Sequence, residues 1–191
     1  MTSAVCQGVG HVKAAVRSTL ALLERLNTAI YYLIGAILAL ISVVVLGQVL
    51  VRFVLTHLGL NISAPWTEEL ARFLLVWLIF LGAAVGCRRM QLISLDFVLK
   101  ALPSLIGQVL RYIALGLCLY LFMLLVIYGH QFVRIIGATE LSPVMQISKS
   151  WVYWAMPVGG ALMIINTLAF IAEAIIDGKD IRSAGGLADT D

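Results

Sequence analysis

Four apolar runs, each close to the length of a bilayer crossing and each bounded by charges, constrain this chain more than any other feature of its sequence. A spanning helix takes about 20 mostly apolar residues, because the hydrocarbon core is about 30 Å thick and each helical residue rises about 1.5 Å. Residues 26–51 meet that length between Arg25 and Arg52, residues 112–133 between Arg111 and Arg134, and residues 150–172 between Lys149 and Glu173. The remaining run is shorter, since between Arg72 and Arg88 only residues 73–87 are free of charge. Starting that helix at Trp66, after the breaker Pro65, restores a full crossing. It also carries Glu68, Glu69 and Arg72 into the edge of the membrane.

The expected fold is therefore an all-α integral membrane protein, with spans at about 26–52, 66–88, 108–134 and 150–173. Composition agrees: 62% of the 191 residues are apolar and 12% are charged, whereas soluble domains are about half apolar and a quarter charged. The first apolar run is too long for a signal-peptide core of roughly 7–15 residues and has no A-x-A exit, so it reads as a retained signal anchor.

Lysine and arginine set the orientation. With both termini in the cytoplasm, the inner side holds Lys13, Arg17, Arg25, Arg88, Arg89, Lys100, Arg111, Lys179 and Arg182, nine of the 13 cations. The outer side holds only Arg52, Arg72, Arg134 and Lys149. The aromatic residues fit these depths. Trp66, Trp151, Tyr153 and Trp154 line the outer interface and Tyr31, Tyr32 and Tyr112 the inner one, where rings with a polar tip are favoured. Trp77 falls mid-membrane.

Two stretches read as amphipathic interfacial helices, the alternative for each being a helix that simply continues into the adjoining span. In the cytoplasmic segment 1–25, Val12, Val16, Leu20 and Leu23 recur at helical spacing, with Lys13, Arg17 and Glu24 off that face. Such a helix lies on anionic phospholipid. The second, at about 94–102, has Ser94 as an N-cap, Leu95, Val98, Leu99 and Leu102 on one face, and Pro103 as its stop. The tail 177–191 lacks apolar periodicity and is expected to be disordered.

Charges at the edge of a span are the first place to look for function. Glu68 and Arg72 are four residues apart and Glu69 and Arg72 three, so one guanidinium can meet a carboxylate on the same helix face. Either this is a self-paired helix start or the cluster contacts a partner. Gly82 and Gly86 form a GxxxG and, with Ala83, a smooth strip; Gly35 and Ala39 repeat the theme on the first span. Strips of this kind let two helices approach closely in lipid.

Other function classes are disfavoured. No intramembrane carboxylate is found for a pump or coupled carrier, and Gln48 and Asn166 are the notable polar residues of the spans. His57 and His130 share a depth, which raises a haem-bearing redox anchor as an alternative, but His57 falls in a loop. A stand-alone small carrier is a further alternative. Cys6, Cys87 and Cys118 have no metal or disulfide spacing. No hydrolase, metalloprotease or P-loop motif occurs, and no basic patch suits nucleic acid. No cofactor, metal or catalytic residue is expected.

Several runs resemble one family, the small membrane subunit of tripartite ATP-independent periplasmic (TRAP) transporters, of the DctQ-like Q type. They are Trp66-Thr67-Glu68-Glu69-Leu70-Ala71-Arg72, Val76-Trp77-Leu78, Phe80-Leu81-Gly82-Ala83-Ala84, and Arg88-Arg89 followed by Ile93-Ser94-Leu95-Asp96. Ser142-Pro143, Trp151-Val152-Tyr153 and Met156-Pro157-Val158-Gly159 resemble the family's entry into its last helix. The resemblance implies a non-catalytic scaffold in the bacterial inner membrane. Its partners would be a large multi-span transport subunit, usually sodium-driven, and a periplasmic binding protein that delivers an organic acid, such as a dicarboxylate or a sugar acid like sialic acid. By the same analogy Glu68, Glu69, Arg72, Arg88, Arg89 and Asp96 become interface or structural candidates, beside Trp66, Gly82 and Gly86.

Overall fold

The computed structural model describes residues 2–55, 65–89, 104–137 and 139–176. Helix α1 runs Thr2–Leu50 and ends in a π-helical turn, Val51–Leu55. Helix α2 is Pro65–Arg89 and α3 is Ser104–Phe132, which also closes on a π-helical turn, Val133–Gly137. A one-turn helix α4, Ser150–Tyr153, leads into α5, Ala155–Ile176. Four stretches are long and apolar enough to cross a membrane: Arg17–Val54, Pro65–Arg88, Gly107–Gly137 and Ser150–Glu173. All four expected crossings are thus present, and the expected fold class holds.

The N-terminal amphipathic stretch and the first span form one uninterrupted helix. No proline or glycine lies between Ala21 and Ile34 to break it. The expected helix at 94–102 and the tail 177–191 lie outside the described residues.

The helices do not form a closed square. α5 packs against both α2 and α3, and α1 lies on α2. Neither α1 nor α2 touches α3 among the described residues. One apolar cluster joins Ile30 of α1 to Leu81 and Val85 of α2, flanked by Ile34, Ile37, Trp77 and Leu162. A smaller one joins Leu115 of α3 to Phe170 of α5, with Ile171 against it. Half of the apolar window of the fourth span is buried, against none of the first span's. Leu117 and Val43 are each 67% exposed. In water that much bare aliphatic surface would drive association; in lipid the chains solvate it, and helices associate by close packing and polar contacts instead.

Close packing falls on glycines other than the expected GxxxG. A methyl placed on Gly159 would lie 2.6 Å from Cβ of Phe80, and one on Gly160 would lie 2.9 Å from a methyl of Val126. These two glycines let α5 touch α2 and α3 at the same level. Gly129 similarly meets Met156 and Pro157 at 3.0 Å. Gly82, Gly86 and Gly35 face open space, with nothing within 4 Å of a built Cβ. The smooth strips read from the sequence therefore pack no helix described here.

Candidate functional site: polar contacts at the two ends of the bundle

At the Pro65 end, two adjacent glutamates on α2 take different roles. Glu68 accepts a hydrogen bond from Arg72 Nη2 at 2.5 Å, and both side chains are more than half exposed. A pair so open to solvent contributes about 0–1 kcal/mol, so it organises a surface more than it stabilises one. Trp66, on the same first turns, is 51% exposed.

Glu69 points the other way, into the connection between α3 and α4. Its Oε2 accepts the backbone N–H of Met145 at 2.9 Å. That connection is a tight hairpin: Leu141 and Ser148 form an antiparallel bridge, Ser142 N–H donates to Ile147 O at 2.8 Å, and Gln146 N–H donates to Ser142 O at 3.1 Å. Gln146 has φ 54°, in the left-handed region that costs an ordinary residue about 1–2 kcal/mol. Ser142 is wholly buried beside the Glu69 carboxylate, and its hydroxyl makes no hydrogen bond of normal geometry. The base of the hairpin is tied by Lys149 Nζ to Glu140 Oε2 at 2.8 Å. This hydrogen bond raises the Lys149 pKa above the usual lysine value, so the amine stays charged throughout the neutral range. Ser148 Oγ donates to Gly137 O at 2.8 Å, joining the hairpin to the end of α3.

Trp77 turns its indole N–H to the carbonyl of Trp151, at 3.1 Å. The acceptor lies beside the break at Trp154 between α4 and α5. Pro157 has no N–H to give the Tyr153 carbonyl and its ring crowds that turn, which accounts for the interruption. His130 stands edge-on to Trp154, with centroids 6.1 Å apart. The other half of the haem alternative, His57, lies outside the described residues.

At the Arg88 end a buried polar cluster joins three helices. Asn27 of α1 and Asn166 of α5 exchange two hydrogen bonds, Asn27 Nδ2 to Asn166 Oδ1 at 2.7 Å and Asn166 Nδ2 to Asn27 Oδ1 at 2.9 Å. Asn166 Nδ2 also donates to Ala84 O of α2 at 2.7 Å, and Asn27 Nδ2 to Leu23 O at 3.0 Å. Both side chains are buried and every amide hydrogen finds an acceptor, the condition under which a polar network in lipid holds helices together. One helical turn nearer this end, Arg88 of α2 makes a bidentate pair with Glu173 of α5, Nη1 to Oε2 at 2.8 Å and Nη2 to Oε1. Only 12% of the Arg88 side chain is exposed. On α3, Arg111 is buried with its guanidinium 5.8 Å above the Phe170 ring.

The nine candidates thus fall into distinct environments. Glu68 and Arg72 pair on an exposed face and Trp66 is exposed elsewhere on the same turns, Glu69 holds the hairpin, Arg88 is bound within the chain, and Gly82 and Gly86 face open space. Asp96 and the Arg89 side chain lie outside the described residues. The sequence reading missed Asn27 and Glu173. Asn27 had a signal, since it continues the Leu23–Ile30–Ile34 stripe that faces the bundle, where a lone amide needs a partner. Glu173 was noted only as the end of a span. Among the described residues no group of three or more His, Cys, Asp or Glu could hold a metal.

These features define a polytopic, all-α membrane protein whose helices are joined by polar pairs at the two ends of the bundle. More specifically, the chain belongs to the DctQ component of tripartite ATP-independent periplasmic transporters, whose family model matches residues 41–177. It is a TRAP small permease subunit, a multi-pass protein of the bacterial inner membrane. It is 28% identical over 156 residues to a TRAP transporter small permease protein of Haemophilus influenzae, covering 76% of this chain and 91% of that one. It is 27% identical over 178 residues to a C4-dicarboxylate TRAP transporter small permease protein of Vibrio cholerae, covering 81% and 74%. An isethionate TRAP transporter permease protein of Oleidesulfovibrio alaskensis is 26% identical over 147 residues, 75% of this chain but only 23% of that longer one.

Proposed function

We propose that this subunit is a non-catalytic scaffold for the large transport subunit of a sodium-coupled importer of a small organic acid. Its termini lie in the cytoplasm, its N-terminal stretch continues the first span toward that side as one helix, and its hairpin end faces the periplasm. The observation that carries this reading is the use made of polar groups within the spans. Asn27, Asn166, Arg88 and Glu173 close on one another across three helices, and the described charges stand toward the ends of the spans. A carrier instead needs ionisable groups or open helix ends aimed at its cargo. Support for a large membrane partner comes from the isethionate relative, in which the matched stretch is less than a quarter of a longer permease. The organic-acid cargo follows from the names of that relative and the C4-dicarboxylate one.

The exposed Glu68–Arg72 pair with Trp66 would contact the large subunit or the periplasmic binding protein. Co-expression with the large subunit from the same genome and pull-down in mild detergent tests the assignment. The two should elute together, and Arg72→Ala should reduce assembly or uptake while leaving folding unchanged. Elution of this chain alone under every condition would refute the scaffold role.

A further inference from the structure

Beside the Asn27–Asn166 pair the three helices leave a cavity of ≈ 320 Å³, lined by Glu24, Asn27, Thr28, Val85, Arg88 and Glu173. Its size falls within the roughly 300–1,000 Å³ of ligand pockets, and it lies where the spans reach the membrane surface. The lining divides sharply into occupied and available groups. Both Asn27 amide hydrogens are taken, by Leu23 O and Asn166 Oδ1. The Thr28 hydroxyl donates to Glu24 O at 2.8 Å. The Glu24 carboxylate, exposed at the mouth, has no ion pair or hydrogen bond among the described residues. Arg88 gives one N–H from each Nη to Glu173, and a guanidinium has five donors, so three have no partner among the described residues.

We propose that this cavity seats the headgroup of a phospholipid bearing a primary ammonium, of the ethanolamine kind. The ammonium would donate to the Glu24 carboxylate, and the phosphate would accept from the free N–H groups of Arg88. Two carboxylates and one guanidinium make the lining net negative, which favours a cationic or zwitterionic headgroup over an anionic one. Register supplies the path for an acyl chain. Thr28, Tyr31 and Gly35 follow Glu24 at four, seven and eleven residues along one flank of α1. Along it Tyr31 is 52% exposed and Gly35 faces open space. The proposal rests on the chain's membrane insertion and is independent of its transport partner.

Native mass spectrometry of the purified chain in detergent tests it, with phosphatidylethanolamine, phosphatidylcholine and phosphatidylglycerol of identical acyl chains at equal concentrations. The expected result is one tightly retained phosphatidylethanolamine, preferred over each of the others by about five- to tenfold, the scale of one charge-assisted hydrogen bond at a half-open site. Choline is methylated and cannot donate, and glycerol carries no amine. Glu24→Gln should abolish the preference, and Glu140→Gln, which removes a carboxylate at the other end of the bundle, should keep it. Equal retention of the three lipids, or a preference that survives Glu24→Gln, would overturn the proposal. Free O-phosphoethanolamine competing as well as the lipid would also overturn it, by showing that the site selects a soluble amine. None of these outcomes bears on co-elution with the large subunit, so this proposal and the scaffold role fail separately.

Discussion

The reciprocal amide pair between Asn27 and Asn166 ties α1 to α5, and its contribution can be measured. Truncating Asn166 to alanine removes three interhelical hydrogen bonds, two to Asn27 and one to the Ala84 carbonyl. Truncating Asn27 removes only the two shared ones, besides a local bond to Leu23 O. Interhelical hydrogen bonds in membrane proteins average about 0.6 kcal/mol and reach roughly 1.7, and a buried group left without its partner adds to the loss. Asn27→Ala is therefore expected to cost about 1–2 kcal/mol. Asn166→Ala should cost about 0.5–1 kcal/mol more, through the Ala84 carbonyl. The double variant should fall short of the sum by about 1 kcal/mol, because the shared pair can be lost only once. Reversible unfolding of the purified chain in mixed micelles, followed by far-UV circular dichroism, gives all three values. Costs that add within about 0.3 kcal/mol would mean that the amides do not act as a pair, and the account of how α1 is held would fail.

Three further outcomes are expected. Gly159→Ala forces a methyl against Phe80 Cβ and should destabilise the chain by about 1–3 kcal/mol, whereas Gly82→Ala should stay within about 0.5 kcal/mol in the isolated subunit; equal effects in the same unfolding assay would contradict the packing described. Glu173→Ala strips the partner from a mostly buried Arg88 and should cost about 2–3 kcal/mol, lessened from the buried-pair range because Glu173 itself is partly exposed. The double change Arg88→Met with Glu173→Met should recover most of that loss, and no recovery would argue against a desolvated charge as its cause. Glu69→Ala should speed hydrogen exchange at the Met145 amide, whose acceptor it removes, by roughly tenfold if that bond is worth about 1.4 kcal/mol; unchanged exchange would show that the hairpin holds without it.

The number of crossings was legible in the sequence because hydropathy is a property of each run taken alone. Residues 150–172 are apolar enough to span whatever lies beside them, and Pro65 sets the start of α2 by local sterics. The Glu68–Arg72 pair was legible for the same reason, since helix geometry alone brings residues four apart together. Which polar groups meet across helices was not. Glu69 differs from Glu68 by one position, yet that step of about 100° around the helix turns it from solvent to the Met145 amide 76 residues away. Likewise, spacing singled out Gly82 and Gly86, while the close approaches fell to Gly159 and Gly160. A glycine matters for packing only where a neighbouring helix arrives, and the arrangement that brings α2 and α3 to α5 is decided by how all four helices fit. The sequence by itself determined the solvent this protein folds in and the segments that cross it. Tertiary structure alone decided which buried amides and charges satisfy one another, because hydrogen bonding in lipid is a relation between helices and no single run encodes it.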